Sequence, residues 1–242
     1  MTFLVVSGLN TWNTAMADIA PGEVAGEDFI EIEATGMQFA WLLRYPGVDN
    51  HLGTRNYQLI DGTNHLGQDW TDEKNLDDIM PDKIVLPVGK KVRVRITSRD
   101  VLHNFDLPHF RIKMDAVPGM PTYFVFTPTV TTEQYRKNLG ALDKNGNPMY
   151  PEWHTPSEPE DATSAPRWKK FNYELACAEL CGNGHYSMKR VVEIVSEEEY
   201  NRWLGEQTPY YESAIKKAEP AAEEESAVTE GETEEAEAEV GH

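Results

Sequence analysis

Both cysteines of the 242-residue chain fall in one dodecapeptide, Cys177-Ala-Glu-Leu-Cys181-Gly-Asn-Gly-His185-Tyr-Ser-Met188. Two thiolates, an imidazole and a thioether form a soft-to-borderline donor set, which suits copper rather than magnesium or calcium. The plain alternative is a reduced cysteine pair with chance His and Met neighbours. A disulfide across so short a loop leaves His185 and Met188 without a role. Zinc takes four closed ligands and favours Cys or His over Met. A mononuclear blue-copper site uses one Cys, two His and a weak axial Met. The second Cys is surplus for that site and points to two metal ions sharing two thiolates.

A second His must come from elsewhere in the chain. His103 is the best candidate, on an expected strand directly after Ser98-Arg-Asp100. His109 follows beside a proline and needs a different loop geometry, while His51, His65 and His154 sit in polar loops where solvated side chains are the expectation. The ligand loop itself runs between two expected strands, Phe171–Ala176 and Val191–Val195. A β-scaffold clamping both ends of a loop can position a metal with little reorganisation.

The elements that supply this scaffold are legible from periodicity. Phe29–Ala34 alternates apolar and acidic residues, and Met37–Tyr45 is an aromatic-rich segment after Gly36, together reading as a hairpin. Lys83–Val88 and Lys91–Thr97 read as strands around the turn Gly89-Lys90, and Pro87 assigns the first of them to a sheet edge or a bulge. Further short strands are expected over Val101–Pro108, Phe110–Met114 and Thr122–Thr127, with a turn at Asp115–Gly119. Many short strands with Gly and Pro punctuation indicate an all-β fold, a Greek-key sandwich or barrel. Helices are peripheral in this reading: a short one over Thr71–Ile79, another over Thr131–Leu139, and a third opened by the capping box Ser196-Glu-Glu-Glu199. The stretch 129–170 is rich in turn residues and reads as a surface insertion.

Charge narrows the function. The formal net charge is −19, and ten Glu with no Lys or Arg follow Lys217. An acidic body excludes nucleic acid as the natural partner, because such binders need a basic face. It is compatible with a basic protein partner. The segment 207–242 is expected to form a disordered acidic tail, having too little apolar area to bury. Residues 1–28 read as a connector. Thr2–Leu9 is apolar but far short of the ~20 residues a membrane span needs, so it is either the end of a span whose start is missing or an ordinary N-terminus.

The motifs together resemble the copper-A domain of subunit II of haem-copper cytochrome c oxidases. The loop matches the family pattern C-x-E-x-C-x3-H-x2-M at each defined position. Arg99–His103 and Lys113–Gly119 resemble its first-His segment, and Thr35–Trp41 with Tyr45-Pro-Gly47 its aromatic strand. The likeness runs, with interruptions, from about residue 29 to residue 204. It implies a cupredoxin domain over 29–206 holding a dinuclear copper-A centre. Cys177 and Cys181 would bridge, His103 and His185 would cap one copper each, and Met188 and the Glu179 carbonyl would be weak axial ligands. The Glu179 carboxylate would also reach a magnesium ion at the subunit I interface. The implied role is a one-electron relay from cytochrome c, or from a docked or fused haem c domain, to a haem of subunit I. That places the chain on the outer face of a respiratory membrane, anchored through missing or partner helices.

Phe39 stands where the family usually has the Trp that receives electrons, and Trp41, two residues on, is the other entry candidate. Two further readings come from different classes. One is the copper-A domain of a nitrous-oxide-reductase-like enzyme, which Glu179 disfavours because that family has an aromatic residue there. The other is a copper carrier or assembly protein, whose sites are more exposed. Quinol-oxidising relatives lack the ligands present here.

Overall fold

The computed structural model describes residues 1–216. They fall into two compact units, one built from Met1–Tyr45 and Pro81–Glu206, the other from Pro46–Met80 with the segment starting at Gln207. The sequence reading treats 29–206 as one domain; the loop-rich stretch 46–80 lies in the second of these units.

The first unit opens with helix α1 (Thr2–Ala15), which carries no buried residue. It continues well past the apolar stub, into the stretch read as a connector. No helix among the described residues is long and apolar enough to cross a membrane. Strands β1 (Phe29–Met37) and β2 (Ala40–Arg44) form the expected hairpin, with Gly36 opposite Trp41. The strands β3 (Ile84–Pro87), β4 (Lys91–Ser98), β5 (His103–Leu107), β6 (Ile112–Ala116) and β7 (Thr122–Phe126) follow. Helix α2 (Thr132–Leu139) is capped by the Thr131 side chain. Strands β8 (Tyr173–Cys177) and β9 (Lys189–Val195) flank the ligand loop, and α3 (Glu197–Gly205) carries the full Ser196/Glu199 capping box.

These strands form a four-stranded sheet in the order β2-β1-β4-β7 and a five-stranded sheet in the order β3-β9-β8-β5-β6. The result is a cupredoxin-like sandwich with mixed parallel and antiparallel pairing. The strand carrying Pro87 is at an edge of its sheet, where a missing N–H costs no ladder bond. Period-2 alternation decides which side chains meet between the sheets. Val92, Val94 and Ile96 of β4 are buried, as are Ile30, Ile32 and Ala34 of β1. Of the residues between them, Glu33 is buried with Arg44, whereas Glu31 and Arg93 are partly exposed and Arg95 is exposed. The parallel register sets Glu31 beside Arg93, ion-paired at 2.8 Å. Trp41, Leu43 and Tyr45 complete that side of the core, while Phe105, Leu107, Leu175, Val192 and Ile194 come from the second sheet.

The insertion 129–170 is more structured than a loose excursion. Arg136 Nε donates to the Phe171 carbonyl at 2.6 Å, and the Trp168 ring lies so close to Gly140 that a Cβ there would sit 2.8 Å from it.

In the second unit, the helix expected over Thr71–Ile79 is reduced to one 3-10 turn, Glu73–Asn75. Asp69 and Asp72 take nearby main-chain N–H groups, offering the backbone turns in place of a helical ladder. Within the same unit, Trp70 packs against Tyr211 with ring centroids 5.4 Å apart, and Tyr210 N–H donates to the Asp78 carbonyl at 2.8 Å. The first part of the segment expected to be disordered is therefore ordered, with a π-turn at Tyr211–Ile215. The rest of that expected acidic tail lies outside the described residues.

Candidate metal centre

Sheet geometry brings the donors together before any loop is considered. On β8 the inward residues are Tyr173, Leu175 and Cys177, so the strand's own alternation turns the Cys177 thiol into the sandwich. Neighbouring β5 places Phe105 opposite Cys177, and the same alternation turns His103, two residues earlier, to the inside. The imidazole is fully buried. Its closeness to β1 depends on Gly36: a Cβ there would lie 2.7 Å from His103 Cδ2.

The loop from Ala178 to Met188 returns the remaining donors to the same point. Its ends are tied by Cys177 N–H to the Met188 carbonyl at 3.1 Å and Ala178 N–H to the Asn104 carbonyl at 3.2 Å. Between them a 3-10 turn, His185–Ser187, tightens the chain so that His185 and Met188 come back toward Cys181. Gly182, at φ +134°, takes a backbone conformation that side-chain-bearing residues rarely adopt.

Cys181 Sγ lies at the middle of the cluster. It is 4.0 Å from Cys177 Sγ, 3.6 Å from His185 Nδ1 and 3.9 Å from Met188 Sδ. Cys177 Sγ is 3.8 Å from His103 Nδ1 and 3.2 Å from the Glu179 carbonyl oxygen. Both cysteines are free thiols, and 4.0 Å is about twice the ~2.05 Å of a disulfide. The ligand atoms of His103, Cys177 and Cys181 all lie within 4.8 Å of one another, the one such His/Cys/acid group among the described residues. Donors too far apart to bond each other, converging on a common space, are the arrangement a metal site requires. The soft thiolate–imidazole–thioether composition fits copper.

Burial, with the adjacent Cys177 thiol adding to it, pushes the Cys181 thiol up to about 11. Asp100 behaves oppositely. Burial works against its charge, but the Gln38 N–H, His103 and the Val101 N–H outweigh it and hold the carboxyl below its ordinary value. Asp100 Oδ1 accepts from His103 Nε2 at 2.8 Å, which leaves Nδ1 free to face Cys177. Periodicity and spacing gave no reason to select Asp100; its signal is only its position three residues before His103.

His109 and His154 make other contacts. His109 packs edge-on against Phe171 at 5.0 Å, in an aromatic group with Tyr135 and Tyr173, and His154 lies against Trp168. Of the two electron-entry candidates, Trp41 is 1% exposed and buried against Phe105, with its ring 6.1 Å from that of His103. Phe39 is not on a strand; it occupies the hairpin tip, is 39% exposed, and covers Gly182 and Gly184 of the ligand loop. Leu180 and Tyr186 of that loop are about four-fifths exposed.

Two cysteines, two histidines and one methionine thus come together on a β-sandwich, a donor set of the kind thiolate metal proteins use. Residues 30–135, which include Phe39, Trp41 and His103, match the family model described as cytochrome c oxidase subunit II, periplasmic domain. The chain is 34% identical over 203 residues to the alternative cytochrome c oxidase subunit 2 of Bradyrhizobium diazoefficiens, covering 80% of this chain and 59% of that protein. It is 29% identical over 175 residues to a probable cytochrome c oxidase subunit 2 of Rickettsia prowazekii, covering 72% of this chain and 41% of that one. A crystal structure of the periplasmic domain of subunit II of cytochrome oxidase from Bradyrhizobium japonicum covers 80% of this chain and 99% of that chain, at 23% identity and a TM-score of 0.42. In these stretches the chain is similar to cytochrome c oxidase subunit II proteins. It spans about two to three fifths of the length of these two curated relatives.

Proposed function

We propose that this chain is the electron-entry part of a cytochrome c oxidase, relaying single electrons through a dinuclear copper-A centre. The observation that carries the reading is Cys181 Sγ, set 3.6 to 4.0 Å from an imidazole nitrogen, a thioether and a second thiol. Copper bound there supplies one-electron redox chemistry, which no side chain of the set provides by itself.

The protein's own residues do the holding. Cys177 and Cys181 would hold the copper through their thiolates and His103 and His185 through their imidazoles. Met188 and the Glu179 carbonyl would add weaker donors. Strands β5 and β8 fix the first His and the first Cys relative to each other, so little has to move when the charge of the site changes by one. Phe39 covers the loop glycines Gly182 and Gly184, and with the exposed Leu180 and Tyr186 it offers an apolar contact face. Phe39 is the point of electron entry in this reading, since Trp41 lies inside the sandwich.

The donor is a cytochrome c or a docked haem c domain, and the acceptor is a haem of subunit I, where oxygen is reduced to water. The domain then works on the outer, periplasmic face of a respiratory membrane, and the Glu179 carboxylate reaches toward a magnesium ion at the subunit I interface. Metal analysis with electron paramagnetic resonance of the copper-loaded chain tests the core of the proposal. Two coppers per chain sharing one spin are expected. A single-copper signal, or zinc retained in preference to copper, would overturn it.

A further inference from the structure

One residue at the β1–β2 tip touches both halves of the donor set. The main-chain N–H of Gln38 donates to Asp100 Oδ2 at 2.7 Å. The other oxygen of that carboxylate accepts from His103 Nε2 at 2.8 Å and from the Val101 N–H at 2.7 Å. The Gln38 side chain reaches the other way, and its Nε2 donates to the Cys181 carbonyl oxygen. His103 begins β5, whereas Cys181 sits in the loop after β8. No strand ladder connects Cys181 to His103, since β8 ends at Cys177.

We propose that Gln38 is a positioning residue for the metal centre: it holds the His103 ring through Asp100 and the Cys181 main chain through its own amide. The inference rests on the copper reading above and deepens it. Outer hydrogen bonds of this kind set the ring angle and tautomer of a ligating imidazole. The hydrogen bond to the Cys181 carbonyl fixes the Cys181–Gly182 peptide plane, and with it the direction of the Cys181 Cα–Cβ bond. The neighbouring Phe39 acts differently. Its ring lies over the loop, where a Cβ on Gly184 would come within 2.4 Å of Phe39 Cγ. Phe39 therefore presses on the loop, and Gln38 orients it. Gln38 is solvent-accessible, so the fold does not depend on burying it.

The test uses the full 242-residue chain carrying Gln38→Met, which keeps the side-chain length and removes the amide, or Gln38→Glu, which sets a carboxylate against the carbonyl. Each is loaded with copper and examined by visible absorption and paramagnetic resonance, and by the rate of copper loss to a chelator. Thermal unfolding of the metal-free chains reports on the fold. Both variants are expected to change the copper hyperfine pattern and to release copper about tenfold faster than the parent, Glu more than Met, with the metal-free midpoint unmoved. Parent-like hyperfine pattern and release rate in both variants would overturn the inference. So would faster release that merely tracks a lowered unfolding midpoint with the spectrum unchanged. A parent chain without a two-copper signal would instead remove the copper reading itself, and this inference with it.

Discussion

At the scale of single residues, the site depends on a few contacts with no slack. Gly36 faces the His103 ring so closely that Gly36→Ala must displace the imidazole or the β1 backbone. Overpacking of this kind costs roughly 1–3 kcal/mol. The expected outcome is a lowered unfolding midpoint together with an altered copper spectrum, measured on the same sample. His154→Ala is the matching control. His154 lies against Trp168, away from the donors, so its copper spectrum should equal the parent's; a changed spectrum would mean the His assignment is wrong. The Cys181 thiol gives a pH dependence with a definite sign. Its folded-state value is raised from 9.0 to about 11, so the fold favours the protonated form. That contribution to stability is complete below about pH 9 and is lost as the pH rises toward about 11. Metal-free chains should lose stability over this window, while Cys181→Ser should remove this part of the dependence. Chemical denaturation at a series of pH values decides it.

At the scale of elements, the capping box of α3 is the clearest case of local sequence acting alone. Ser196 Oγ accepts from the Glu199 N–H, and the Glu199 carboxylate accepts from the Ser196 N–H. Ser196→Ala should destabilise the first unit by about 1 kcal/mol and leave the copper spectrum intact, because α3 supplies none of the donors. The existence of the hairpin was legible from alternation on the first arm and the aromatic-rich second arm, but its turn was not, since Gly36 lies within β1 opposite Trp41. The helix expected over Thr71–Ile79 was not realised, and the reason is chemical. Asp69, Asp72 and Asn75 direct their side chains at nearby main-chain groups, so the backbone turns in place of propagating. Placing Phe39 within a strand failed for a related reason. A period-2 pattern has no term for a two-residue tip, and β1 and β2 close on Gln38 and Phe39.

At the scale of the whole molecule, the acidic balance bears on partner choice. If a basic haem protein delivers the electrons, the association rate should fall as salt is added, because opposite charges are screened beyond about 10 Å at 0.1 M ionic strength. Stopped-flow reduction of the copper-loaded chain over a range of ionic strength measures this. A rate independent of salt would argue for an apolar or tethered donor. The division into two units belongs to this scale too. The loop-rich segment Pro46–Met80 contributes nothing to the sandwich ladders, and no strand of either sheet comes from it.

The dodecapeptide from Cys177 to Met188 by itself pointed to the kind of metal its donors would suit, because ligand softness and count are properties of residue type. Period-2 patterning likewise determined the class of fold, since burial on one face of a strand is written in alternate residues. The choice of His103 over His109 needed the tertiary structure to make it physical. Both lie near β5, but only the inward-facing start of that strand is beside Cys177. Asp100 and Gln38 were beyond sequence reasoning altogether. Their importance lies in hydrogen bonds to groups brought near by folding, the longest spanning from residue 38 to residue 181. The same is true of the two aromatic candidates. Trp41 and Phe39 differ by two positions in the chain, yet the close of the hairpin buries one and leaves the other at the surface over the ligand loop. Spacing records which atoms are available; only the packing of two sheets decides which of them share a point in space.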